Sequence, residues 1–276
     1  MTSAPAPPAR VGRDGALALA FERRGPATVL SACRSALPLQ VLAPVALDDR
    51  AAVVSMLNPT GGVLGGDRLA VDVDVGADAH ACLTTPSATR VYRSAGEPAI
   101  QTVHVRMAPG AVCEWVPDHT IPSPGAVFRQ SMTFEVPEGA TLIAIDAWAA
   151  GRVARGEAWS FARLDGTLTA RDAAGLLVHD RFVLEGGADW SALGFADCRP
   201  YFATVVVIGD RPLDGFLAGL RPLADAAAGA ARLPRRGALV RCLAHSAPAL
   251  TAALEHVWAL ARCTLLDLPP LALRKG

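Results

Sequence analysis

VDVDVGADAHACLTTP (Val71–Pro86), VHVRMAPGAVCEWVPD (Val103–Asp118) and MTFEVPEGATLIAIDA (Met132–Ala147) decide the fold of this chain. Each begins with apolar alternation, turns at a Gly-Ala pair and continues into a more apolar run. Alternation with period two buries one face of a strand and leaves the other wet or paired. The corner glycines Gly76, Gly110 and Gly139 are 34 and 29 residues apart, and glycine accepts backbone dihedrals that other residues avoid. The same grammar serves ordinary hairpins. Its recurrence at a similar period predicts stacked β layers, each coil covering the apolar face of the next.

Outward from these blocks, short alternating runs ended by Gly, Pro or Asp-Gly extend from about Leu17 to Phe182. Beyond them the pattern changes. Thr204–Ile208 and Gly237–Leu243 read as strands, whereas Asp214–Leu223 and Pro248–Leu266 have helical spacing, with Leu250, Leu254, Val257, Trp258 and Ala261 on one stripe. Ser246 is placed to cap the second helix, with Pro248 in its first turn. The Ala-, Gly- and Arg-rich stretch 224–237 reads as a flexible loop, and residues 1–12 as a flexible tail. The expected architecture is mainly β: β-helix-like stacked strand layers in a single domain over 1–276, with helical elements mainly at 210–266.

Composition narrows the function. The chain is 51% hydrophobic and 19% charged, enough to bury a substantial core. Its 26 basic and 26 acidic residues cancel, and without a basic run nothing predicts nucleic-acid binding. Every aliphatic stretch is interrupted before the roughly 18 residues a membrane span needs, and MTSAPAPPAR lacks the apolar region of a signal peptide. The six cysteines are scattered with no CxxC pair, which sets aside zinc-knuckle and thioredoxin chemistry and fits a reducing cytoplasm.

Several segments carry polar groups that need a cause. NPTGGVLGGD (Asn58–Asp67) is dense in glycine but has neither the G-x-G-x-x-G nor the P-loop pattern, and a strand rather than a helix follows it. It reads as a crowded turn, or as a place where Gly66 admits a close partner and Asp67 offers an oxygen ligand. TTPSATRVYRS (Thr84–Ser94) has no GxSxG or SxxK frame for a catalytic serine. Its hydroxyls suit local turns, and Arg90, Tyr92 and Arg93 suit a partner-binding edge. EWVPDHTIP (Glu114–Pro122) puts Glu114, Asp118 and His119 together, but i and i+3 diverge in an extended chain, so the cluster is no ready chelate. Asp146, Glu157 and Glu185 stand in apolar or Gly-rich surroundings. Surface pairing with Arg152, Arg155 or Arg181 explains them, and oxygen ligands lining a passage are the alternative.

Taken together, NPTGGVLGGDRL, LTTPSATRVYRS, EWVPDHTIPSPGAVFRQ, AAGRVARGEAW and HDRFVLEGG, in this order across Asn58–Gly187, resemble the urease accessory protein family UreD, called UreH in some systems. The resemblance covers about two-thirds of the chain. It implies a β-helix-like fold with a helical C-terminal part and a non-enzymatic protein. It also implies a scaffold that binds apo-urease and the helical accessory protein UreF, which recruits the nickel-carrying GTPase UreG. The metal would pass through or along the chain. Two departures stand out. Ala52-Val53 and Asn58 occupy positions where many members carry a Cys-His pair and another His, and His119 stands where Glu is frequent.

A relay calls for weak ligands. With an on-rate of ~10⁷ M⁻¹s⁻¹, a Kd of ~1 pM would hold nickel for about a day, whereas ~1 μM releases it within about a second. Carboxylates suit such residence better than thiolates. The resemblance therefore makes Asp67, Asp146, Glu157 and Glu185 the passage residues, with Arg90, Tyr92, Arg93 and His119 at a partner surface and no tightly bound cofactor. Two alternatives compete: an adaptor that clamps partners without touching metal, and a carbohydrate-active β-solenoid enzyme. Aromatic content of only 5% argues against the second.

Overall fold

The structure, a computed structural model, describes residues 14–46, 50–190, 192–221 and 225–273. The proposed tail at 1–12 lies outside them. Seven strands form one sheet in the order Gly175–Glu185, Arg163–Asp172, Val127–Glu135, Ala99–Met107, Arg68–Val75, Asp14–Arg24 and Ala27–Ala36. Its five central members run parallel. A second sheet holds the parallel strands Ala52–Leu57, His80–Thr84, Val112–Trp115 and Thr141–Ala149. It continues antiparallel through Tyr201–Ile208, Gly237–Ala244 and Ala226–Arg232.

The repeated blocks are the coils of this solenoid. Each enters through the first sheet, turns at its Gly-Ala corner and returns in the second. Gly110 and Gly139 take left-handed φ of 74° and 80°. Gly76 differs: the left-handed residue at its corner is Asp78, φ 56°, and a Cβ on Gly76 would meet the Phe21 carbonyl oxygen at 2.9 Å. Here glycine serves close approach, not dihedral freedom.

Parallel register stacks equivalent side chains into rows. Leu17, Val71, Val103, Met132 and Leu168 make one buried row, and Leu19, Val73, Val105, Phe134 and Ala170 the next. At about 1.5–3 kcal/mol for each fully buried large side chain, these rows are the main force joining coil to coil. Ala81, Leu83, Cys113, Trp115, Leu142 and Ala144 face them from the second sheet.

After the short helix α1, Asp214–Gly219, the outer face of the second sheet is covered by helix α2, Ala247–Ala261, which buries Leu250, Ala253, Val257, Trp258 and Ala261 against Cys82, Ile143, Ile145 and Val205. Ser246 Oγ accepts the Ala249 N–H at 3.3 Å and caps the helix as expected. A π-turn, Arg262–Leu266, extends it. The stretch 224–237 corrects the sequence reading. Ala226–Arg232 is an edge strand paired antiparallel with Gly237–Ala244, because backbone bonds to a neighbour do not require the large apolar side chains by which strands are recognised.

Beneath α2 lies one of the polar groups singled out in EWVPDHTIP, now parted from Asp118 and His119. Glu114, fully buried, accepts hydrogen bonds from His80 Nε2 (2.6 Å), from Trp258 Nε1 (2.5 Å) and from the Arg262 guanidinium. Arg262 also donates to the Pro269 carbonyl at 2.9 Å. Two solenoid coils and the C-terminal helix are thus tied through one carboxylate.

Candidate functional site: an interior path

The three motifs singled out in the sequence meet at one lateral edge of the solenoid. Val63 bridges Val91, with its N–H on the Arg90 carbonyl and its own carbonyl accepting from Tyr92, both at 2.8 Å. Thr89–Val91 in turn runs parallel to Thr120–Pro122. Asp118 N–H donates to Thr85 Oγ1 at 2.9 Å. The Gly-rich turn, the hydroxyl-rich stretch and the Pro-Asp-His segment therefore stack as an irregular continuation of the coils.

Together they frame a cavity of about 360 Å³ that reaches between the sheets, with Asn58, Gly62, Thr85, Ser87 and Arg90 at its mouth. Inside, Gln101 and Gln130 are register neighbours, and Gln130 Nε2 donates to Asp146 Oδ1 at 2.8 Å. A second pocket of about 260 Å³ opens on the far side, walled by Trp148, Trp159, Phe182, Trp190, Phe195 and Phe202. Among the described residues Asp146 alone lines both. Burial pushes its carboxyl up to about 6, opposed by the Trp148 indole and the Gln130 amide and reinforced by the Asp180 charge.

The other residues that the resemblance placed along a passage lie elsewhere. Asp67 is buried in the Gly-rich turn, where its Oδ2 accepts the Leu64 N–H at 2.8 Å. Glu157 pairs with Arg152 at 2.5 Å, and exposed Glu185 pairs with Arg163. Of the partner-surface residues, Arg90 lines the cavity, and Tyr92 reaches its edge only through a hydrogen bond to the carbonyl of the lining residue Gly61 at 3.2 Å. His119 Nδ1 lies 2.7 Å from Asp118 Oδ1 and packs edge-on to Tyr201. Exposed Arg93 lies instead along Gly125.

Sequence reasoning missed Gln130, Asp180, Thr204 and Arg241, although a signal was present. Gln130 falls in phase with buried Phe128, Met132 and Phe134. Asp180 is in phase with Val178 and Phe182, and Arg241 with Leu239 and Leu243. A polar residue in the apolar phase of a strand marks the interior.

The path offers carboxylate, amide and hydroxyl oxygens. Cys242 lines the second pocket, but burial pushes its thiol up to about 11, which leaves it protonated near neutrality. Among the described residues no three His, Cys, Asp or Glu side chains are grouped to hold a metal ion. Among those residues, too, no helix is long and apolar enough to cross a membrane.

Comparison with known proteins agrees with the sequence resemblance. The family model described as UreD urease accessory protein matches residues 13–275. The urease accessory protein UreD of Alkalilimnicola ehrlichii is 35% identical, covering 96% of this chain and 93% of its own length. That of Delftia acidovorans is 34% identical over 89% of this chain and 88% of its own. That of Deinococcus radiodurans is 34% identical over 95% of each. With near-complete coverage of both partners, the chain belongs to the UreD family of urease accessory proteins.

Proposed function

We propose that this chain is a non-catalytic, cytoplasmic scaffold that docks apo-urease together with UreF-like and UreG-like accessory proteins, and that nickel crosses its interior past Asp146 on the way to the urease active site. Family membership supports a role in urease maturation. The observation that carries the finer reading is the pair of cavities meeting at a single buried carboxylate. A plain adaptor has no use for buried Gln130 and Asp146, since polar groups between apolar sheets cost stability unless they are fully satisfied. A conduit needs them, because a cation shedding water must find oxygen atoms along the way.

The reading is tested by maturing urease with wild-type chain and with Asp146→Asn. The variant is expected to co-purify normally with its partners while the nickel content of urease falls several-fold. Unchanged nickel content with an intact complex would remove the conduit and leave the adaptor.

A further inference from the structure

The cavity framed by the three stacked motifs holds two hydrogen-bonding groups of opposite kind that the protein leaves unmet. Trp115, 2% exposed, lines it from the second sheet, and its indole N–H has no hydrogen-bond partner. The ring is packed edge-on against Phe134, centroids 6.4 Å apart, so packing holds the donor in place. From the first sheet come Gln101 and Gln130, register neighbours on adjacent strands. A carboxylate only accepts hydrogen bonds. Gln130 therefore directs its amide N–H to Asp146 Oδ1, at 2.8 Å, and presents its Oε1 to the cavity. The Gln101 amide, which also lines the cavity, adds one more donor and acceptor.

A buried donor without an acceptor is costly and calls for an oxygen beside it. A molecule that answers Trp115 and Gln130 together must carry both an acceptor oxygen and an N–H. Charge narrows the choice further. Asp118 and Asp146 line the cavity, and Arg90 is the one cation among its described lining residues, which disfavours an anion. The remaining inner wall is apolar, with Leu17, Leu69, Val71 and Met132. We infer that the inner end of this cavity binds a small neutral primary amide, urea included, whose carbonyl oxygen accepts from Trp115 and whose amino group donates to Gln130 Oε1. At about 360 Å³ the cavity admits such a molecule with water beside it. A ligand of about four heavy atoms binds no more tightly than roughly 40 μM, so the site answers to an abundant metabolite, not a trace one. It goes beyond the scaffold reading and does not depend on it.

The test is nitrogen-15 NMR of the full-length chain near neutral pH, in which the five tryptophans give five indole N–H signals. Trp115→Phe identifies the Trp115 signal by its loss. Acetamide and urea, each kept below about 0.2 M so that urea does not unfold the chain, should shift that signal saturably. N,N-dimethylacetamide keeps the carbonyl but has no N–H, and should bind roughly fivefold more weakly than acetamide. Acetamide should lose affinity to a similar degree in Gln130→Met, which keeps the side-chain length and removes the acceptor. Formate should bind more weakly than acetamide. No saturable shift with either amide would mean that the cavity holds water alone and overturns the inference. Formate binding as tightly as acetamide overturns it too, in favour of an anion site, as does an unchanged acetamide affinity in Gln130→Met. The ligand series on wild type decides the matter even where a variant fails to fold. Neither nickel nor a partner protein enters this measurement, so its failure leaves the conduit standing, and failure of the Asp146→Asn test leaves the amide site standing.

Discussion

Replacing Glu114 by leucine probes the join between solenoid and C-terminal helix. Glu114 is fully buried and Arg262 is 1% exposed, so the substitution takes the Glu114 counter-charge from a buried guanidinium and deprives the Trp258 N–H of its acceptor. Removing one partner of a buried ion pair costs about 3–5 kcal/mol, a large share of the roughly 5–15 kcal/mol that stabilises a typical domain. With a denaturant slope of about 3 kcal/mol per M, the urea midpoint should fall by about 1–1.7 M. The double variant Glu114→Leu/Arg262→Met replaces the whole pair by apolar groups and should recover most of the loss. pH gives an independent check. Burial alone would raise the Glu114 carboxyl, but the His80 hydrogen bond and the Arg262 charge outweigh it and hold the group below its ordinary 4.5. A depressed folded-state value means the stabilisation is complete above pH 4.5 and is lost as pH falls below it. Wild type should therefore lose stability in that range while Glu114→Leu shows a flatter profile. A single-variant cost under about 1 kcal/mol, or a double variant as unstable as the single, would refute the reasoning.

Two further outcomes follow from the site. Asp146 is raised from 3.8 to about 6, so the fold favours its protonated form, and stability falls as pH rises through that interval. Asp146→Asn should be about 1–3 kcal/mol more stable at pH 7, with the advantage vanishing below pH 3.8 in urea melts; no gain at neutral pH would show that its ionised form is well solvated. At the mouth, Gly62 has φ of 153°, and a Cβ there would lie 2.6 Å from the Arg90 carbonyl oxygen and from the Tyr92 ring. Gly62→Ala should cost about 1–3 kcal/mol and speed amide exchange at Val63 and Tyr92, whereas unchanged exchange would mean that the turn absorbs the methyl group.

Much of the fold was legible because its signals are local. Alternation in Arg68–Val75, Ala99–Met107 and Val127–Glu135 marked the strands, and the recurring Gly-Ala corners marked the coils. Ser246, Pro248 and the apolar stripe located α2. Ala226–Arg232 was read as loop because its small side chains carry no periodic signal; its partner strand supplies the order. At the site, Asp146 drew notice from its apolar surroundings, and the structure places it between the cavities. Glu157 and Glu185 drew the same notice, and surface pairing accounts for both: Glu157 pairs with Arg152, one of the arginines named from the sequence, whereas Glu185 pairs with Arg163 on the adjacent strand, a cross-strand relation that no local pattern encodes.

The sequence by itself determined that this is a layered β protein with a helical C-terminal part, since period and corner chemistry are properties of a few consecutive residues. It also determined the family, through five motifs in fixed order. Only the tertiary structure decided which polar residues share an interior. Gln130, Asp146, Asp180, Thr204 and Arg241 come from five strands spread over more than a hundred residues. Their meeting depends on register between strands and on which side of each sheet faces inward, and both are set by the packing of the apolar rows around them.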